Sequence, residues 1–294
     1  MIYKEKTSDK SIIGVFLSGV NLTVGKVKNN EVIDIVKKTI NNRDTEENIL
    51  KELINSVNEV FDNDVIGIGV GVPSLVNVKK GIVYKVQNIP SWREVHLKEI
   101  LENKFNTNVY INNDANCFVI GEKYFGKAEK YNNIVGLIIG TGMGAGIVFN
   151  GHLYSGEHCG AGEFGSIPYR HHDYEHYLSE GYFEEKYGIK AETLISRAEK
   201  KDKIASVIFE QFGNDLGNAI KTILYTIDPE IIIIGGRLSK AFKFFEKSMW
   251  ERVNTFRYKH SIKNLKIKVT TNNNITVLGA AALYSDAKNM ILHK

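Results

Sequence analysis

The sequence predicts an α/β protein built from two related domains. Two short apolar segments, residues 13–17 (IGVFL) and 135–139 (VGLII), resemble each other, and each is followed by a turn and a second strand pattern. Strand patterns open each half, and strand and helix patterns alternate afterwards, which is typical of α/β architecture. The chain has 294 residues, and at about 100–200 residues per domain this length fits two domains better than one.

The first half begins with three strand patterns joined by short turns. Ser18-Gly19 separates the first two strands, and Asn29-Asn30 precedes the third. Apolar residues then recur on one helical face within 49–61, with Asp44 or Thr45 available as the N-cap. The predicted elements of this half are strands 12–17, 22–27 and 31–39, a helix ending near 61, a strand 65–72, a helix near 94–105 and a strand 108–112.

The second half restarts with a strand, a glycine-rich segment and another strand that closes with Asn150-Gly151, a strong hairpin signal. Its predicted elements are strands 134–139, 146–149 and 230–234, helices within 192–226 and near 239–253, and a last helix near 277–289. We expect the last helix to cross back to the first domain. The predicted domains are therefore residues 1–117 together with the helix in 277–294, and residues 118–276.

Composition excludes several classes of protein. The formal charge is +4, from 38 basic and 34 acidic residues, and the lysines are dispersed, so we expect no nucleic-acid or membrane partner. The two cysteines, Cys117 and Cys159, exclude a disulfide scaffold. No run reaches the ~18 apolar residues that span a bilayer, and we expect the protein to be cytoplasmic.

The first segment that suggests chemistry is rich in glycine, Gly140-Thr141-Gly142-Met143-Gly144-Ala145-Gly146. Glycine permits positive φ and lets backbone N–H groups approach a phosphate closely. A dinucleotide-binding fold needs G-x-G-x-x-G leading into a helix, whereas a strand pattern follows here. A phosphate-binding loop and a glycine-rich hairpin both fit the segment, and four glycines at alternate positions favour the phosphate loop.

A polar segment, Asn112-Asn113-Asp114-Ala115-Asn116, stands between a strand pattern and an apolar helix. Asp114 is either the N-cap of that helix or a general base that accepts a proton from a substrate hydroxyl while the asparagines orient that hydroxyl. The positive end of a helix dipole would keep such an aspartate ionised and ready to act as a base.

Two further segments carry candidate residues. Glu163, which lies between glycines in residues 161–165 (AGEFG), is either a solvated loop charge or a carboxylate that accepts hydrogen bonds from a polyol. The apolar strand 230–234 runs into Gly235-Gly236 and then a helix. That pattern predicts a ligand at the carboxyl edge of a parallel sheet.

Histidines cluster in the second half and raise the question of a metal. A zinc site would use two of them with Cys159 or a carboxylate, and His172 and His176 have the i, i+4 spacing of one helical face. A hydrated, charged loop is the alternative, and we favour it. The clustered histidines are His152, His158, His171, His172 and His176.

In this order and spacing, these segments resemble the ROK family, whose name joins repressors, open reading frames and sugar kinases. The resemblance runs from about residue 12 to 283 and includes 228–236 (DPEIIIIGG) and 278–281 (LGAA). It implies a two-domain actin-like ATPase (ribonuclease-H-like) α/β fold with an interdomain cleft. It also implies a glucokinase-like, ATP-dependent sugar kinase.

The resemblance implies a role for each matching position. Asp114 would be the general base that deprotonates the sugar hydroxyl, with Asn113 and Asn88 binding the sugar beside it. Glu163 would contact the sugar ring, and Glu175 would be the second sugar-binding glutamate, since residues 173–179 (DYEHYLS) resemble the family's Cys-Leu-Glu-x-x-x-Ser segment. The positions that would face ATP are Thr141, Gly142, Gly144, Gly235 and Gly236.

The chain departs from the family pattern at two places. Ser166 occupies the position of the family's zinc histidine, and residues 168–172 (PYRHH) replace the cysteine-rich zinc loop, so we expect no family-type zinc. Ser166 stays a candidate sugar contact. The first phosphate loop of family kinases reads Asp-x-Gly-Gly-Thr, whereas residues 16–20 here read FLSGV, and Phe16 can neither place magnesium nor bind phosphate.

Two functions follow from these patterns. The first is Mg²⁺- and ATP-dependent phosphorylation of a hexose or N-acyl hexosamine hydroxyl, with a homodimer as the expected assembly. The second is a sugar-binding sensor that has lost productive ATP binding, which the altered first loop suggests. A family repressor would carry a helix-turn-helix domain ahead of the fold, and we expect none, because about a dozen residues precede the first strand. We favour the kinase because Asp114 stands in an intact Asn-Asp-Ala-Asn context.

Overall fold

The computed structural model describes residues 10–86, 88–157 and 159–292, and only the backbone of 290–292. The strands of the described chain are β1 (Ser11–Ser18), β2 (Asn21–Lys28), β3 (Glu31–Thr39), β4 (Val65–Val72), β5 (Leu75–Asn77), β6 (Ile82–Tyr84), β7 (Glu94–Val95), β8 (Asn108–Asn113), β9 (Ile134–Ile139), β10 (Met143–Phe149), β11 (His152–Leu153), β12 (Pro168–Tyr169), β13 (His172–Asp173), β14 (Ile231–Gly235) and β15 (Lys266–Val269).

The helices follow the expected alternation with these strands. They are α1 (Glu46–Asn58), α2 (Leu97–Phe105), α3 (Asp114–Phe125), α4 (Tyr174–Tyr177), α5 (Glu180–Tyr187), α6 (Ala191–Glu199), α7 (Lys203–Thr226), α8 (Phe242–Val253), α9 (Lys259–Asn264) and α10 (Ile275–Leu292). Short 3-10 helices occupy Phe164–Ser166 and Arg237–Ala241. Among the described residues, no helix combines the length and the apolarity that a membrane span requires.

The chain divides into two compact units. The first contains the chain through Lys130, Gly146–Ala161 and the chain from Asn272, and the second contains Tyr131–Ala145 and Gly162–Thr271. The predicted boundary at residue 117 falls inside α3, and α3 stays whole in the first unit because it packs along α10. Residues 146–161, which we expected in the second domain, belong to the first unit.

The first unit is organised around a sheet of order β3-β2-β1-β4-β8. Strands β1, β2 and β3 form an antiparallel meander, and β4 and β8 add to it in parallel, so the sheet is mixed as the early strand cluster predicts. Asn29 and Asn30 have φ of 52° and 68°, which are the positive values that a type I′ hairpin turn requires. The predicted turn between the second and third strands is confirmed.

The last helix, α10, packs on this sheet at very short range, and glycines make that possible. A Cβ on Gly69 would lie 1.7 Å from the Ala280 carbonyl oxygen, and one on Gly14 would lie 2.1 Å from the Val277 carbonyl oxygen. Any side chain at either strand position would push the helix away from the sheet. The expectation that the last helix returns to the first domain is confirmed.

The first predicted helix of this unit begins where capping chemistry places it, and the second does not. Thr45 is the N-cap of α1 and accepts a hydrogen bond from the Asn48 backbone N–H at 3.3 Å, while Asp44 accepts from the Asn48 side chain at 2.8 Å. The helix expected near 94–105 begins later, at Leu97, because Glu94–Val95 form β7 and pair with β6.

The second sheet has the order β11-β10-β9-β14-β15. Strand β14 pairs in parallel with both β9 and β15, and every one of its residues is buried, as its apolar sequence predicts. The sequence prediction missed β15, a four-residue edge strand in which lysine alternates with apolar residues. The helical stretch predicted at 192–226 is two helices, because Asp202 caps α7 by accepting from the Ala205 N–H at 2.9 Å.

Candidate functional site

Asp114 is the first residue of α3, directly after β8 ends. Asn113 is the N-cap, since its side-chain oxygen accepts from the Ala115 N–H at 2.9 Å. The Asp114 carboxylate lies at the same distance from that N–H, and the residue is half-buried. The alternative that Asp114 is the N-cap is therefore wrong, because Asn113 holds that position. Asp114 stands at the positive end of the α3 dipole, which stabilises a carboxylate.

A buried network of side chains lies behind Asp114. The Asn112 side-chain oxygen accepts from the Asn113 N–H at 2.8 Å, from Asn116 Nδ2 at 2.8 Å and from the Cys159 thiol at 3.1 Å. The Asn112 amide donates to Ser155 Oγ at 3.0 Å. Sequence reasoning noted the asparagines but missed Ser155 and Cys159, because contacts over more than forty residues leave no local pattern. The network fixes the backbone that carries Asp114.

The two asparagines expected to bind sugar are also in the first unit. Asn113 donates from Nδ2 to the Ser74 carbonyl at 3.3 Å, so its side chain is anchored at both ends. Asn88 is exposed and has a φ of 66°, and its carbonyl accepts from Asn42 Nδ2 at 2.6 Å. The side-chain amide of Asn88 therefore faces outward on a loop whose backbone is held in place.

The glycine-rich segment is shorter than a loop of seven residues. β10 begins at Met143, so only 140–142 turn between the strands, and Gly144 is half-buried within β10. The glycines do not adopt positive φ; the left-handed glycines of the described chain lie elsewhere. The expectation of positive φ is wrong, and what Gly142 and Gly146 require is room for a neighbouring group. A Cβ on Gly142 would lie 2.6 Å from the Glu175 carboxylate.

Glu175 and Glu163 lie close to each other in the second unit. Glu175 is in the first turn of α4, and its carboxylate accepts from the Met143 N–H at 2.9 Å. Partial loss of hydration around its carboxyl, and then the negative charge of Glu175, raise the pKa of Glu163 above its ordinary value near 4.5, although the side chain is exposed overall. The pair can accept hydroxyl hydrogen bonds beside the exposed Thr141.

The residues where the resemblance implies zinc do not fit a zinc site. Ser166 is exposed at the end of a 3-10 helix and offers no imidazole. The rings of His172 and His176 stack at 3.9 Å between centroids, which is not a ligand arrangement. His158 lies outside the described residues, and among those that are described no group of three or more His, Cys, Asp or Glu side chains could hold a metal ion.

Gly235 is the last residue of β14, at the carboxyl ends of the parallel strands of the second sheet, and Gly236 follows it. Gly236 has a φ of 86°, and a Cβ there would lie 2.3 Å from the Ile139 carbonyl oxygen, so only glycine fits. Arg237 follows and donates twice to Glu180, at 3.0 and 2.7 Å, and the Glu180 N–H donates to the Gly140 carbonyl at 2.7 Å. The structure thus brings the two glycine segments together through Glu180, a link that sequence reasoning missed.

The segment around the turn after β1, residues 16–20, carries no carboxylate that could place magnesium. Phe16 pairs in register with Thr23 and Gly71, and it is half-buried on the face of the sheet that also contacts Cys117. A phenyl ring offers none of the oxygen ligands that Mg²⁺ prefers. Residues 16–20 therefore do not fit a magnesium position, and no chemical step is assigned to them.

The chain is similar to known proteins along most of its length. A glucokinase from Thermotoga maritima is 29% identical over 280 residues, covering 82% of this chain and 86% of that enzyme. A xylose repressor from Caldicellulosiruptor bescii is 28% identical over 249 residues, covering 74% of this chain and 62% of the repressor. The crystal structure of a ROK family glucokinase from Streptomyces griseus with glucose and AMPPNP has a TM-score of 0.77 at 22% identity, covering 93% of this chain and 98% of that one.

The structural likeness shows the fold, a two-domain actin-like ATPase α/β fold, as the resemblance implies. A family model described as "ROK family" matches residues 13–287, which is nearly the whole chain. The chain belongs to the ROK family.

Proposed function

We propose that the protein transfers the γ-phosphoryl group of ATP to a hydroxyl of a hexose or N-acyl hexosamine, with Asp114 as the general base. One observation carries the proposal: Asp114 opens α3 with its backbone held by the Asn113 cap and the Asn112 network. A structural aspartate would not need this support, because Asn113 already caps the helix.

The chemistry asks little of the protein beyond position and charge. The Asp114 carboxylate accepts the proton of the sugar hydroxyl. The hydroxyl oxygen then forms a bond to the γ-phosphorus of ATP, while the bond between that phosphorus and the leaving oxygen of ADP breaks. Asn88 and Asn113 present amides to the sugar from the first unit. Holding the hydroxyl beside the base supplies most of the rate advantage, since phosphoryl transfer depends on positioning.

The other sugar contacts and the nucleotide contacts of this proposal are assigned residue by residue. Glu163 and Ser166 are exposed, and in this proposal Glu163 accepts hydrogen bonds from ring hydroxyls while the Ser166 hydroxyl donates to them or accepts from them. Glu175 binds the sugar with one carboxylate oxygen, and its other oxygen accepts from the Met143 N–H. The residues assigned to ATP are Thr141, Gly142, Gly144, Gly235 and Gly236. Mg²⁺ would accompany ATP as its counter-ion.

An assay of ADP release over a panel of hexoses and N-acyl hexosamines tests the proposal. Turnover should appear with at least one sugar, and Asp114→Asn should lower kcat by about 10²–10⁴, because it removes the base. Asp44→Asn is the matched control: like Asp114, Asp44 is a half-buried aspartate next to the start of a helix, and this variant should keep its kcat. No turnover with any sugar, or equal turnover in Asp114→Asn, would refute the proposal.

A second function is favoured by one specific observation, the replacement of the family's first phosphate loop by 16–20 (FLSGV). In this alternative the protein binds sugar as a sensor and binds Mg-ATP poorly. Calorimetry separates the two, because the sensor predicts sugar binding with little heat from Mg-ATP, and tight Mg-ATP binding would contradict it. We further propose a homodimer, which light scattering would detect as twice the mass of one chain.

A further inference from the structure

The hairpin β12–β13 is fastened to α7 through one buried carboxylate. Asp215 is 1% exposed and lies in the middle of α7. It accepts hydrogen bonds from Tyr169 Oη at 2.9 Å, from Arg170 Nη2 at 2.5 Å and from Gln211 Nε2 at 3.1 Å. Asn218 donates to the Tyr169 hydroxyl at 2.8 Å. A buried carboxylate is costly unless it is paired and hydrogen-bonded, so these donors are a condition for Asp215 being there.

The two hairpin residues that reach Asp215 are fixed by more than those bonds. Arg170 sits in the turn with a φ of 55°, a conformation that a non-glycine residue adopts only when the surroundings hold it. Burial and the nearby Asp215 charge raise the pKa of Tyr169 to about 12, so its hydroxyl stays protonated and remains a donor. We call Tyr169, Arg170 and Asp215 the hairpin staple.

The hairpin staple continues by ring contacts into α4. Tyr169 stacks on Tyr174 at 4.5 Å between centroids and meets Tyr177 edge-on at 5.6 Å. The Arg170 guanidinium lies over the Tyr177 ring at 5.2 Å. Tyr174 also shares a hydrogen bond of 2.9 Å with Thr222 of α7. Both ends of the four-residue α4 are therefore held against the staple and α7.

Glu175 lies between these two tyrosines in sequence, and its side chain contacts the segment between β9 and β10. Its carboxylate receives the Met143 N–H at 2.9 Å, and it approaches Gly142 so closely that a Cβ there would be 2.6 Å away. A helix of one turn cannot hold a side chain in place alone, since it has too few internal hydrogen bonds. The staple supplies what α4 lacks.

We propose that Asp215 and Arg170 are positioning residues that hold α4, and with it Glu175, in the geometry needed to bind the sugar. The inference rests on the proposed function, in which Glu175 is a sugar ligand. It also accounts for the misfit at Ser166, because an ion pair with stacked rings fastens this segment where the resemblance implies a metal. The chemistry of the bound molecule is unchanged: a ring whose hydroxyls donate to carboxylates.

The kinetic test uses Asp215→Asn and Arg170→Gln, with Arg197→Gln as the matched control. Arg197 pairs with Asp202 at 3.0 Å, so the control also removes an arginine–aspartate pair that reaches α7, but it leaves the hairpin untouched. We expect both staple variants to raise the sugar KM at least tenfold and to leave the ATP KM within twofold. Arg197→Gln should change neither constant more than twofold.

Two further variants separate positioning from loss of the fold. The sugar KM of the double variant Asp215→Asn/Arg170→Gln should lie within twofold of the higher of the two single-variant values, because the two residues act as one unit. Arg170→Lys keeps the charge and should recover part of the sugar affinity. Arg170 is partly exposed, so Arg170→Gln is expected to fold even if Asp215→Asn does not. A folded Arg170→Gln protein with an unchanged sugar KM would overturn the inference.

Hydrogen exchange tests the staple without activity. In Asp215→Asn or Arg170→Gln, the amides of residues 169–178 should exchange at least tenfold faster, whereas Arg197→Gln should leave them unchanged. If wild-type protein phosphorylates no sugar, the proposed function fails, and faster exchange in the staple variants still supports the staple as the element that holds α4. Unchanged exchange in both staple variants refutes it, whatever the activity.

Discussion

The turn after β1 and the turn after β9 follow two strands of similar sequence, yet glycine has a different structural role in each. In the first, Gly19 has a φ of 59°, and a Cβ there would have no described heavy atom within 4 Å. In the second, Gly142 does not have positive φ, and a Cβ there would meet the Glu175 carboxylate at 2.6 Å. Glycine makes a hairpin possible in one case and makes room for a glutamate in the other. Only the second turn is part of a polar site.

Among substitutions that test this difference between the two turns, we expect Gly142→Ala to have the largest effect, on the KM for sugar. The added methyl group would push the Glu175 carboxylate away and break its hydrogen bond to the Met143 N–H. The carboxylate is the far end of a flexible side chain and can move aside, so only part of the about 1.5–3 kcal/mol that a hydrogen bond to a charged group contributes is lost, and the sugar KM should rise by about tenfold. Steady-state kinetics with sugar and ATP varied separately would measure this. An unchanged sugar KM would mean that sugar binding does not depend on this position of the Glu175 carboxylate.

A smaller effect concerns pH and sharpens the role of the two glutamates. The carboxylate form of Glu163 accepts hydroxyl hydrogen bonds, so sugar affinity should fall as pH decreases through its pKa, which lies above the ordinary value. Desolvation is the larger cause of that raised pKa and the charge of Glu175 is the smaller one, so Glu175→Gln should move the loss of affinity to lower pH. Calorimetric sugar affinity between pH 4 and 8, in wild type and variant, would show it. A shift to higher pH would contradict this electrostatic coupling.

The smallest effect is expected at the first turn. Gly19→Ala forces a side chain into left-handed backbone and should lower the free energy of unfolding by about 1–2 kcal/mol. Kinetic constants should stay within twofold, because this turn contributes no ligand in our account. Denaturant unfolding and steady-state kinetics would measure the two quantities. A large rise in the ATP KM would show that the first turn still binds nucleotide despite its altered sequence.

Much of the fold could be predicted because its strands and turns follow from short local sequence patterns. Alternating and continuous apolar runs gave the strands of both sheets, and Asn150-Gly151 adopts positive φ of 51° and 87° as a type I′ turn requires. The edge strand β15 escaped because four residues with alternating lysines carry little signal. The chain's return into the first unit at residues 146–161 escaped because it depends on packing between distant segments.

The sequence suggested candidate site residues, but it said less about what holds them in place. Asp114 and the two glutamates stand in recognisable segments, but the assignment of the N-cap required the geometry of Asn113. The glycines of 140–146 suggested positive φ, whereas the reason for Gly142 is a carboxylate thirty-three residues away in sequence. The hairpin staple joins positions about 45 residues apart, and no periodicity reports such a contact.

The most direct test of the central claim is a single-turnover experiment that follows the γ-phosphoryl group of labelled ATP. Wild-type protein should transfer it to a sugar hydroxyl, with one ADP formed for each sugar phosphate. Asp114→Asn should bind the same sugar with similar affinity and transfer the group about 10²–10⁴ times more slowly. Transfer at the wild-type rate in Asp114→Asn, or no sugar phosphate from wild-type protein with any sugar that it binds, would contradict the assignment of Asp114 as the base of a sugar kinase.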